Sequence, residues 1–259
     1  QQDLNQIAAK GISEEKLNKQ IEEFKTGFPF LKLDSAAAID HGIFAPNEEE
    51  TSKYVSSWND YKSDGHAIVK FVPASGAASR MFKDLFAFLD ADYDVPTTDF
   101  EREFFDNLKK FAFRKELCGV CHDTDGKCMK ELAADGQYKT VVRNLLTETG
   151  LNYGQLPKGL LLFHSYEDGP RTPMEEHLVE AALYASYNGE ANVHFTVSHD
   201  HIELFKKKVA EKQDKYEKMF GVRYNISFSE QKPSTDTVAV NPDNTLFRNA
   251  DGSMLFRPG

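Results

Sequence analysis

Residues 66–89 read HAIVKFVPASGAASRMFKDLFAFL. The first eight, HAIVKFVP, are an apolar run of strand length. The small residues ASGAAS follow, and a helix-forming segment opens behind them. A strand that passes through a small-residue turn into a helix is the first part of a βαβ unit. The alternation returns downstream. Residues 159–164, GLLLFH, are a second strand candidate. Residues 172–189, TPMEEHLVEAALYASYNG, carry a full set of helix signals: Thr172 as N-cap, Pro173 at the first helical position, Glu175 completing a capping box, and Gly189 at the exit. Residues 192–198, NVHFTVS, read as a strand and 199–220 as a charged amphipathic helix. Residues 223–229, RYNISFS, alternate with Tyr224, Ile226 and Phe228 on one face. Strand, helix, strand, helix, strand predicts a parallel sheet with covering helices, in which the strands near 67–73, 193–198 and 224–229 are adjacent.

Working outward, residues 13–26 predict an amphipathic helix, with Leu17, Ile21 and Phe24 on one face and Gly27 just past the end. A weaker helical pattern covers 49–63. The expected organisation is an N-terminal helical extension, 1–63, followed by an α/β domain, 64–259. Helices expected over 100–117 and 129–149 place an insertion between residues 89 and 157. No internal repeat is read.

The charge balance limits the partners. A formal net charge of −10 and a pI near 5.3 argue against nucleic acid and anionic membranes, so an anionic ligand needs a locally positive site. No apolar run is long enough to span a membrane, and no leader pattern is visible at residue 1. Three cysteines clustered in 118–128 do not form a secreted disulfide framework, which gives a cytoplasmic expectation.

The segment Ala74-Ser75-Gly76-Ala77-Ala78-Ser79-Arg80 suits phosphate. Small side chains let backbone N–H groups approach an anion, a helix N-terminus adds positive potential, and Arg80 supplies a planar fork of donors. The same residues also suit a plain tight turn between strand and helix. Lys158, fixed between Pro157 and Gly159, can neutralise phosphate charge, or can be an ordinary loop lysine.

Taken together, Gly76 to Arg80, the Pro-Lys-Gly at 157–159 and the RTPMEEHL helix start resemble the pattern of sugar nucleotidyltransferases, in particular UDP-sugar pyrophosphorylases. In that resemblance Gly76 matches the first loop glycine, Ser79 and Arg80 match a Thr-Arg pair, Lys158 matches the phosphate-binding lysine, and Gln231 matches the glutamine of a Phe-x-Gln strand end. Ala78 departs from it, standing where a second glycine is usual. The resemblance covers three short segments. Across its whole length the chain is similar to an uncharacterised bacterial domain-of-unknown-function family (number 4301), known mainly from Bacteroidetes.

The pyrophosphorylase resemblance implies a Rossmann-like, three-layer nucleotide-diphospho-sugar transferase fold. It implies the reaction NTP + sugar 1-phosphate to NDP-sugar + pyrophosphate, with Arg80 and Lys158 as the catalytic cations and Ala74–Ser79 with Gln231 binding the nucleotide phosphates. Mg²⁺ is implied with the nucleotide, its aspartate ligands lying beyond residue 259. A chain cut inside the substrate loop is then expected to be inactive alone, with Arg257-Pro258-Gly259 frayed at the mouth of the cleft. The alternative is a binding protein of the same fold that turns nothing over. A third reading is a zinc-stabilised interaction protein built on Cys118, Cys121, His122 and Cys128, set against free thiols beside a turn.

Overall fold

A computed structural model describes residues 1–258. The helices are α1 (Gln2–Ala9), α2 (Glu14–Thr26), α3 (Glu48–Ser63), α4 (Lys83–Asp90), α5 (Asp99–Asp106), α6 (Arg114–Asp125), α7 (Met129–Ala134), α8 (Tyr138–Leu146), α9 (Pro173–Tyr184) and α10 (Ile202–Phe220). The strands are β1 (Ala38–Ile39), β2 (Gly42–Ile43), β3 (Val69–Pro73), β4 (His164–Tyr166), β5 (Gly169–Arg171), β6 (Ser186–Tyr187), β7 (Glu190–Val197), β8 (Arg223–Glu230), β9 (Thr237–Val238) and β10 (Phe256–Arg257). Among the described residues, no helix is long and apolar enough to cross a membrane. The chain forms two compact units, Gln1–Asn59 with Gln231–Gly259, and Asp60–Glu230.

The first unit joins the two ends of the chain. Ile7, Ile12 and Leu17 from the N-terminal helices pack with Val238 and Met254 from the tail. The Gln6 side chain accepts from Met254 N–H at 2.9 Å and donates to its carbonyl at 2.7 Å. Gln20 treats Val238 N–H and Asp236 carbonyl in the same way. The tail therefore belongs with the helical extension, whereas the sequence reading placed it in the α/β domain. Phe256 and Arg257 pair with Val238 and Thr237 instead of fraying, and Gly259 lies outside the described residues. Within the tail a turn recurs. Asp243 accepts from the N–H and hydroxyl of Thr245, and Asp251 does the same for Ser253. The sequence reading missed this short repeat, whose signal is the Asp two residues before Thr or Ser.

In the second unit, β3, β7 and β8 form one sheet as expected. β7 is central and pairs in parallel with both neighbours, Phe71 opposite His194 and His194 opposite Ser227. Alternation along β7 buries Ala191, Val193, Phe195 and Val197 against α9 and α10, through Met174, Leu178, Phe205 and Tyr216. On the opposite face Phe71, 62% exposed, stacks on His194, whose ring nitrogens each lie 2.8 Å from a serine hydroxyl, Ser227 and Ser229. A three-layer arrangement needs helices on that face as well, and its side chains remain largely exposed there.

Two local readings change. GLLLFH is not a sheet strand: Lys158–Leu160 is a single 3-10 turn, and His164 opens a separate two-stranded hairpin with β5. Gly189 is not the helix exit. With Asn188 (φ 51°) and Gly189 (φ 74°) it makes the tight turn from β6 to β7. Asn-Gly is the strongest short hairpin signal, because both central residues need positive φ.

The insertion is a helical cluster in which α4 to α8 share one core, including Leu85, Phe88, Leu117, Leu132, Val141 and Leu145. Here Cys118 of α6 is bonded to Cys128, the residue before α7. A crosslink spanning ten residues restricts the unfolded chain, so Cys128→Ser is expected to cost about 2–3 kcal/mol. Urea denaturation with and without reductant checks this: reductant should lower the midpoint of the wild type and leave that of Cys128→Ser unchanged.

Candidate functional site

The site grows from the end of β3. Ala74 N–H still donates to Thr196 carbonyl of β7 at 2.7 Å. The chain then leaves the sheet and meets the segment 156–158. Lys158 N–H donates to Gly76 carbonyl at 3.1 Å, and Ala78 N–H donates to Leu156 carbonyl at 3.3 Å. Ala77 thereby sits opposite Pro157 in an antiparallel bridge. This pair is a non-hydrogen-bonded one, so the missing N–H of Pro157 is not called on. Gly159 is needed for a different reason: a Cβ there would lie 2.8 Å from the ring of Phe205. Pro-Lys-Gly therefore has a steric logic at both flanks and leaves Lys158 exposed between them.

Around this stitch lies a cavity of about 190 Å³ at the carboxyl ends of β3 and β7, where ligands bind in open α/β sheets. Ala74, Gly76, Lys158, Pro173, Met174 and His177 line it, with Val72, Phe195 and Phe205 among its apolar walls. Pro173 and Met174 open α9. Its capping box is formed, Thr172 hydroxyl accepting from Glu175 N–H and Glu175 carboxylate accepting from Thr172 N–H, so the positive end of a twelve-residue helix borders the cavity. Among the described residues, the N–H groups of Ser75, Gly76 and Ala77 donate to no protein acceptor, and the Lys158 ammonium has no hydrogen bond or ion pair. His177 is held by Glu180, 3.1 Å from its Nδ1. Glu180 in turn binds Lys70 at 2.6 Å, and that ammonium, with burial working against it, holds the Glu180 carboxyl below its usual range. No carboxylate lines the cavity.

A family model described as Domain of unknown function (DUF4301) matches residues 1–259. The chain belongs to that family. No curated protein and no solved structure matches it.

Of the residues expected to bind phosphate, this DUF4301 chain brings Ala74, Gly76 and Lys158 to one cavity, while Ser75 and Ala77 lie outside its lining and flank Gly76 with N–H groups that have no protein acceptor among the described residues. Ala78 is fully buried in the helical core, so its methyl is a packing group and does not crowd a phosphate. Ser79 and Arg80 are exposed and lie outside the cavity lining, so Arg80 does not line the cavity that Lys158 lines. Met81 N–H closes a turn onto Ala78 carbonyl at 2.8 Å, and α4 starts only at Lys83. Gln231 follows β8 directly, belongs to the other compact unit and is absent from the lining. Pro173, Met174, His177 and Phe205 were not read as site residues. For the first three, which lie on α9, the capping box was the signal, since it fixes where that helix begins; Phe205 comes from α10, which has no such cap.

The zinc alternative does not fit. Cys118 and Cys128 are bonded to each other, and Cys121 is buried with Asn144 donating to its sulfur at 3.4 Å. The His122 side chain is 71% exposed. Among the described residues, no three His, Cys, Asp or Glu side chains are grouped to hold a metal. His199 and His201 are also engaged separately, with Glu230 and Ser198.

Proposed function

We propose that this protein is nucleotidyltransferase-like and binds a phosphate ester, a nucleoside triphosphate or a sugar phosphate, with its phosphate at the Gly76–Lys158 cavity. The observation that carries the reading is the set of unpaired donors: three consecutive backbone N–H groups and one ammonium, gathered beside a helix N-terminus in a chain of net charge −10. Ser75 is half-buried and Gly76 and Ala77 are exposed, so an anion would replace water on these N–H groups and take all of them together. The volume of about 190 Å³ suits a phosphate group, with the organic part of the ester lying outside. The three parallel strands, with α10 connecting β7 to β8, support a Rossmann-like reading of this unit.

In the transferase form of the proposal, a sugar 1-phosphate oxygen attacks the α-phosphorus of the triphosphate and pyrophosphate leaves. Lys158 and the loop N–H groups would stabilise charge on the phosphoryl oxygens. The residues present do not fit a protein-held Mg²⁺, because among the described residues the lining carries no carboxylate. That observation favours binding without turnover. Calorimetric titration with phosphate, nucleoside triphosphates, sugar phosphates and NDP-sugars, each with and without Mg²⁺, tests the binding. A pyrophosphate-release assay on the same protein tests turnover. The expected result is phosphate-dependent binding with no pyrophosphate release. Absence of binding by every phosphate compound would end the proposal, and robust release would restore the transferase form.

A further inference from the structure

The helical cluster holds a second, larger concavity of about 610 Å³, in the size range of small-molecule sites. Its depth is core: Leu85, Phe104, Phe113 and Tyr153 are all buried. Its rim is apolar, with Phe100 and Phe163 each about 40% exposed. The segment that borders it, residues 109–115, reads KKFAFRK. Four cations and no acid stand together here in a strongly acidic chain. Lys110, Phe111, Ala112 and Phe113 line the concavity, and Lys109, Arg114 and Lys115 flank them. Among the described residues none of the four cations forms an ion pair, and Arg114 donates only to Lys109 carbonyl, at 2.9 Å. Glu103, exposed, is the one carboxylate on the lining.

We propose that this concavity binds a small organic anion with an extended apolar body, of the fatty-acid kind. The aromatic walls would take the hydrocarbon out of water, and the cations of 109–115 would hold the acid group at the mouth. A bilayer surface with anionic lipids offers similar chemistry. It would meet protruding apolar side chains, however, and here the apolar surface runs inward to buried core residues. The site is separate from the phosphate cavity, with no lining residue in common.

The test is displacement of anilinonaphthalene sulfonate, followed by fluorescence, with octanoate, decanoate and dodecanoate as monomers. Each added pair of methylenes should tighten binding roughly tenfold until the concavity is filled. Lys110→Glu should weaken dodecanoate about fivefold and leave dodecanol unchanged. Ala112→Trp should abolish binding by occupying the space, with circular dichroism monitoring its fold. If that variant does not fold, the exposed Lys110 variant decides the matter. No probe binding, no dependence on chain length, or equal loss of acid and alcohol in Lys110→Glu would overturn the proposal. So would co-sedimentation with anionic vesicles without any binding of monomeric dodecanoate.

Discussion

Replacing Glu175 by alanine is expected to destabilise the protein by about 3–5 kcal/mol, the usual cost of leaving buried polar partners uncompensated. Glu175 is 1% exposed. One carboxylate oxygen accepts from Thr172 N–H at 2.9 Å and from its hydroxyl at 3.0 Å. The other accepts from Tyr216 hydroxyl at 3.1 Å and lies 3.3 Å from the Lys212 ammonium. Burial and the neighbouring Glu175 charge push the Tyr216 phenol up, so it stays a donor at neutral pH and would lose its acceptor in the variant. Lys212 is a third exposed and contributes least. Glu175→Gln keeps the shape and one acceptor, so it should cost less, about 1–2 kcal/mol. Because Pro173 and Met174 of the same helix start line the cavity, the alanine variant should also weaken phosphate binding. Urea unfolding measures the order. An alanine variant no less stable than the glutamine variant would contradict this account of how α9 is anchored.

Lys158→Ala is expected to do the opposite: to leave stability within about 0.5 kcal/mol of wild type while lowering phosphate affinity about tenfold to a hundredfold. The ammonium has no partner to lose among the described residues, and it is one of few positive groups at the cavity. Gly76→Val gives an independent check. An added Cβ at Gly76 meets nothing within 4 Å, so folding should tolerate the change, but a branched side chain would stand where phosphate must approach the backbone. Thermal unfolding and calorimetry on both variants should show unchanged midpoints and weakened binding. Lowered midpoints with unchanged affinity would make both residues structural.

Much of this architecture was legible where side-chain chemistry acts locally. The Thr172-Pro173-x-Glu175 signature fixed the start of α9 to the residue, and Ser13 and Gly27 bounded α2. Period-two alternation found β7 and β8, because one face of each is buried. GLLLFH was misread because a short apolar run has no period of its own. Leu161 is buried in the helical core and Phe163 is exposed, and Gly159 bends the chain onto Phe205. Arg80 was misplaced because the expected helix started too early. Ala78 is drawn into the core, and the turn that follows carries Arg80 outward. The cysteine pairing depends on Gly126, whose φ of 71° ends α6 and returns the chain so that Cys128 meets Cys118. Spacing does not encode that reversal.

The central claim is that the loop N–H groups and Lys158 receive a phosphate. Its most direct test is amide chemical-shift perturbation on titration with inorganic phosphate at neutral pH. The account predicts saturable shifts at Ser75, Gly76 and Ala77, with smaller ones at Lys158 and Met174, and their loss in Lys158→Ala. Shifts confined to surface lysines such as Lys206–Lys208, with the 75–77 amides unmoved, would contradict it.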